Sequence, residues 1–233
     1  MTGWIVIYFV LALGAALQNT IGFGLGLLCA PVLMIFAPEM VPEPMILNSL
    51  FITSLISYRN IKSIQLKQIS FSIIGGTIGV VIASLIMFYV EYTFYRTLFG
   101  VLIICAVLIS IMGYSVKINP KTSLLAGSLS GFIGTLTSAG GAPMGLLYQN
   151  STQEGLKANL NAFFVYINVL AIITLSIAGF VEVQDFYLFV KCIPAILIGW
   201  KLSDLMNNKL ASYPLKPYIL SIVFLAGVSI LIF

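Results

Sequence analysis

Histidine is absent from the 233 residues, and only 8% of positions carry charge, seven of them acidic and eleven basic. Without an imidazole there is no metal-binding histidine and no serine-histidine pair. All seven acidic residues fall in polar connections or at helix ends, which leaves no buried carboxylate for acid-base work. "GSLSG" (Gly127 to Gly131) lacks both a nucleophile-elbow context and a base. The chain does not read as an enzyme, and no cofactor is called for. Cys29, Cys105 and Cys192 lie inside apolar runs without CxxC spacing, so neither a disulfide framework nor a zinc site is suggested. Hydrophilic stretches long enough to form a soluble domain are missing. The basic residues are scattered, which excludes a nucleic-acid-binding patch.

What the chain has instead is apolar surface: 60% of its residues are hydrophobic, the balance of a polytopic membrane protein. Residues 1–233 read as a single membrane domain. The first apolar segment, from Thr2, lacks a basic leader and a small-x-small cleavage site, so it reads as a retained helix. Apolar runs cover Gly3 to Leu17, Leu25 to Ala37, Met45 to Ser57, Ile69 to Val90, Phe94 to Gly113, Ser123 to Leu136, Met144 to Tyr148, Leu156 to Phe180, Phe186 to Trp200 and Tyr218 to Phe233. A crossing needs about 20 residues. The stretch from Thr2 to Pro38 is too long for one crossing and must fold back, with "QNTIGFGLG" (Gln18 to Gly26) as the bend. Lys121 to Asn150 folds back likewise at "TSAGGAP" (Thr137 to Pro143). Both are expected to be helical hairpins with glycine-rich tips.

Basic residues set the orientation. Arg59, Lys62 and Lys67 share one loop, Lys117 and Lys121 another, Lys157 stands alone, and Lys201, Lys209 and Lys216 form a third loop. Placing these inside puts Glu39, Glu43, Glu91, Glu182 and Asp185 outside, and both termini outside with them. Each half is then a hairpin followed by three crossings, and the halves, about 1–116 and 117–233, are inverted repeats. A weak echo accompanies this: Gly22, Gly24 and Pro31 stand 116 positions (138 minus 22) ahead of Ser138, Gly140 and Leu147. The expected fold is an all-α polytopic membrane protein of two inverted repeats.

Non-helical backbone survives at membrane depth only where protein buries it or a watered cavity meets it. The two tips are therefore the candidate site. Beyond each one a helix starts, near Leu25 and near Pro143, so two N-termini would offer free N–H groups and partial positive charge to an anion. Candidate substrate-binding residues are Gln18, Asn19, Thr20, Gly22 and Gly24 at the first tip and Thr135, Thr137, Ser138, Gly140 and Gly141 at the second. Asn48 and Thr53, with Ser54, and Asn161 and Asn168, with Tyr166, would complete a neutral pocket. Ser, Thr and Asn in membrane helices also serve as plain interhelical contacts, and "GGTIG" (Gly75 to Gly79) and "GSLSG" fit packing faces. Lys191, the one basic residue well inside a helix, is either the fixed cation of an anion path or a snorkelling lysine near the outer boundary.

"GFGLGLLCAP" (Gly22 to Pro31), "SYRN" (Ser57 to Asn60) and "GTLTSAGGAP" (Gly134 to Pro143), with a hydropathy profile that matches over essentially the whole chain, resemble the TauE/SafE family of sulfite exporter-like permeases. Leu25 and Ala142 depart from the motifs, standing where glycine, or glycine or proline, is common. The resemblance implies a secondary transporter for export or uptake of sulfur oxyanions such as sulfite or of organosulfonates, read here as an exporter, in a prokaryotic plasma (inner) membrane. Its partners would be a small anion, the lipid bilayer and a coupling proton or sodium ion; the oligomeric state stays open, a homodimer included. The rival from the residues alone is a channel of aquaporin-like half-helices, although neither tip has an Asn-Pro-Ala signature.

Overall fold

The structure, a computed structural model, describes residues 2–111, 116–210 and 215–232. Among them it has ten α-helices and no strand: α1 Thr2–Ile21, α2 Leu25–Phe36, α3 Glu43–Arg59, α4 Leu66–Met87, α5 Tyr92–Ile111, α6 Pro120–Thr137, α7 Gly141–Tyr148, α8 Gln153–Ile177, α9 Val183–Leu210 and α10 Leu215–Ile232. Five of these, α1, α4, α5, α8 and most of α9, are long and apolar enough to cross a bilayer. Large apolar side chains point outward along them, as Ile74, Ile78, Ile82 and Leu85 do on α4. A lipid-facing wall explains that pattern; water does not.

The two long runs break where glycine allows. α1 stops at Ile21 and α2 starts at Leu25; α6 stops at Thr137 and α7 starts at Gly141. Pro143 sits in the first turn of α7, where a missing N–H leaves nothing unpaired. α6 begins at a capping box, with Asn119 Oδ1 accepting from the N–H groups of Lys121 and Thr122 at 3.0 Å each. α9 is longer than its apolar run: residues 201–210 continue the helix, because "KLSDLMNNKL" contains good helix formers and neither glycine nor proline. Lys201 and Lys209 therefore belong to α9, and Lys216 to α10, not to the loop expected there. The rest of that loop, 211–214, and the expected run end at Gly113 lie outside the described residues.

α4 lies along α6, α1 along α9, α3 along α8 and α5 along α10. The α4/α6 seam is backbone against backbone. A Cβ at Gly79 would overlap the Ser128 carbonyl, and one at Gly127 the Ser72 carbonyl. Gly199 meets the Ala12 carbonyl in the same way across α1 and α9. Small residues allow this approach, and dispersion and interhelical hydrogen bonds hold it where the lipid supplies no hydrophobic drive; Ser128 Oγ donates to the Gly75 carbonyl at 3.0 Å.

Gly79→Val and Gly127→Val are each expected to destabilise the protein by about 2 kcal/mol or more, the cost of overpacking a closed seam. Gly3→Val, at a position with nothing within 4 Å, should leave stability unchanged. Thermal unfolding of the detergent-solubilised protein checks both.

Candidate functional site

The first tip is fastened by two carboxamides. Gly22 and Gly24 adopt φ of 93° and 144°, values that L side chains rarely take. Buried Gln18 donates to the Gly22 carbonyl at 3.1 Å and to Asn161 Oδ1 at 3.0 Å, while its Oε1 accepts from Leu25 N at 3.1 Å. Asn161 Nδ2, on α8, donates to the Gly22 carbonyl at 3.3 Å and to the Lys157 carbonyl at 2.8 Å. The peptide groups freed by the break find partners in this way, as hydrocarbon requires.

The second tip is fastened by hydroxyls. Ser138 takes the left-handed conformation, φ 59°, and its Oγ donates to the Pro42 carbonyl at 3.0 Å. Thr137 Oγ1 donates to Ile133 O at 2.7 Å and accepts from Ala139 N at 3.1 Å. Ser130 Oγ donates to the Gly140 carbonyl, and Tyr95 OH to the Leu136 carbonyl at 2.8 Å.

The tips pass each other closely. A Cβ on Gly26 of α2 would overlap the Ser138 carbonyl, and the Phe23 ring lies against Gly141 and Gly145 of α7. Between them is a cavity of about 30 Å³. Of the expected residues, Gln18, Gly24, Ser138, Gly140, Gly141 and Asn168 line it. Asn168 Nδ2 is enclosed without a hydrogen-bond partner among the described residues. No side chain of the N-cap residue, Gly24 or Gly140, caps α2 or α7. The cavity is thus lined by first-turn residues of both helices, one carboxamide with an unpaired Nδ2 and no charged side chain.

The other expected residues lie elsewhere. Gly22 and Asn161 stand one layer behind, in the network that shapes the first tip. Thr20, Thr53 and Thr135 donate to carbonyls of their own helices, at 2.8 Å to Ala16, 2.7 Å to Ser49 and 2.8 Å to Gly131. Thr137 is spent on the turn it caps. Asn48 is fully buried beside the Cys192 thiol. Asn19 faces away from the cavity, its Nδ2 2.9 Å from both Ser203 Oγ and Asp204 Oδ1. Ser54 points outward, and Tyr166 OH meets Thr77 Oγ1 at 2.9 Å. Lys191 Nζ sits 4.1 Å from the Tyr187 ring centre and 5.1 Å from that of Trp4, at the end of α1 away from the tips. Sequence reasoning missed Phe23, Ser49 and Ser130 as lining residues. Ser130 belongs to a motif read as packing, and Ser49 directly follows the chosen Asn48.

Compared with known families, residues 7–230 match the family described as Sulfite exporter TauE/SafE. No curated protein and no solved structure matches the chain.

Gln18→Ala and Asn161→Ala are each expected to cost about 1–3 kcal/mol of stability by leaving buried polar groups unpaired. Because both act through the same bonds, the double variant should cost clearly less than their sum. A double-mutant cycle on unfolding in detergent reads the coupling.

Proposed function

The chain belongs to the sulfite exporter TauE/SafE family, and from that membership and the cavity between the tips we propose a secondary transporter that exports small sulfur-containing anions, sulfite or organosulfonates. The coarse part follows from membership alone: this is a multi-pass membrane transporter and not an enzyme. The finer part rests chiefly on one observation, the uncharged cavity where two broken helices bring their N-terminal turns together. Two such termini supply roughly one positive charge between them, which suits a monoanion such as hydrogen sulfite or a sulfonate. Lys191 is engaged with two aromatic rings, so in this reading it anchors the protein at the interface and the dipoles hold the substrate.

Inverted halves are part of the proposal. Exchanging α1–α5 with α6–α10 turns the α1/α9 seam into α6/α4, the α3/α9 packing into α8/α4 and the α2/α10 packing into α7/α5; it maps α3/α8 and α5/α10 onto themselves. That correspondence supports a two-fold relation, the usual basis of alternating access. The cavity has room for roughly one or two waters, so loading an anion requires the tips to part. With the basic ends of α3 and α8 inside, both termini lie outside and substrate loads from the cytoplasmic face. Coupling runs through a proton carried on the substrate or a sodium ion held by carbonyls at the breaks.

Sulfite flux into vesicles of purified protein tests the reading. It should saturate with concentration, fall at least tenfold in Asn168→Leu, whose buried donor is lost, and stay within about twofold of wild type in Lys191→Met. Flux that does not saturate would favour a channel, and full flux in Asn168→Leu would remove the cavity from the path. A cysteine replacing Gly3 should react with a membrane-impermeant maleimide only from the cell exterior.

A further inference from the structure

At the basic end of the first hairpin, three helices converge on one carboxylate. Arg59 Nη1, on the last turn of α3, donates to Asp204 Oδ1 at 2.7 Å and to Oδ2 at 2.6 Å. Asn19 Nδ2, in the last turn of α1, donates to the same Oδ1 at 2.9 Å. Lys157 of α8 is close enough for its charge to act on Asp204, and it makes no ion pair among the described residues. Its backbone and stem pack on Gly22, with Cα 3.4 Å and Cγ 3.6 Å from where a Gly22 Cβ would stand. Arg59 and Asn19 thus hold a single anion, with the Lys157 charge in range of it, and that anion is part of the chain.

We propose that Arg59, Asn19 and Lys157 form a loading site for the transported anion at the mouth of the first tip, and that Asp204 occupies it as a tethered competitor. An arriving anion displaces the carboxylate from Arg59 and Asn19, and α9 is released from α3 and α1. Three features make this physically reasonable. The pair keeps much contact with water, side-chain exposures being 50% for Arg59 and 33% for Asp204, so it holds weakly and exchanges readily. The local charge is a net positive one, since Lys157 has no anion of its own, and excess charge at a mouth raises the local concentration of counter-ions. Asn19 and Gln18 are consecutive on the last turn of α1, so the same turn touches both the mouth and the cavity. The inference rests on the transport reading for the identity of the anion, and not for the existence of the site.

Equilibrium dialysis of the purified protein against radiolabelled sulfite, and separately against inorganic phosphate, tests it. Asp204→Asn, which keeps shape and the bond to Asn19, is expected to bind at least one of the two anions roughly fivefold more tightly than wild type, the worth of one partly exposed ion pair. Adding Arg59→Gln or Lys157→Gln to Asp204→Asn should cancel the gain. Asp204→Ser guards against a special effect of the asparagine. If neither Asp204 variant gains affinity for either anion, or if the gain persists without Arg59, the loading site is wrong and the pair only ties helices together. Loss of sulfite flux from wild-type vesicles with the affinity gain intact would instead sink the transport reading and leave the site standing.

Discussion

A peptide group stripped of its hydrogen bond costs several kcal/mol in hydrocarbon, and this molecule breaks two helices within packed protein. Everything around the cavity follows from how those breaks recover their partners. At the first, Gln18 and Asn161 do the work, one from the same hairpin and one from α8. At the second, hydroxyls do it, from Ser130 and Thr137 of the same hairpin and from Tyr95 of α5 on the Leu136 carbonyl. What is left at the cavity is the first-turn backbone of α2 and α7 and the Asn168 amide, whose Nδ2 has no partner among the described residues.

The chemistry of the two fasteners differs in consequence. Carboxamides can donate and accept together, and Gln18 uses both abilities to tie tip, α2 and α8 into one network. A hydroxyl donates once, so the second tip needs several, and only Thr137 both donates and accepts there. Crowding differs as well. Phe23 fills the space over α7, and glycine at 141 and 145 makes room for it; on the other side Ser138 and Ala139 are small, and Gly26 lets their backbone come close.

Much of this was legible in the sequence. The breaks were visible because Gly22 and Gly24, and Gly140 and Gly141, interrupt runs that nothing else interrupts, and the helices resume at Leu25 and Gly141 as the positions of Leu25 and Pro143 suggest. Which side chains face the cavity was less legible. That depends on the rotation of each helix about its axis, and a hydroxyl such as Thr20, Thr53 or Thr135 satisfies itself on the carbonyl one turn back without any trace in the pattern. The far end of α9 was hidden for a different reason: hydropathy falls at Lys201 while helix propensity does not. The Arg59 and Asp204 partnership spans 145 positions, beyond the reach of any local motif.

The seams also bear on how the molecule is made. The long arm of each hairpin, α1 or α6, lies against a helix of the opposite half, α9 or α4. α4 leaves the ribosome before α6, so that seam closes early; α1 is made well before its partner α9 arrives, with α2–α8 between them. Until then the backbone stripe around Ala12 has no Gly199 to meet it. α1 therefore stays an unmatched surface while α2–α8 are made, and the arrival of α9 gives it its place.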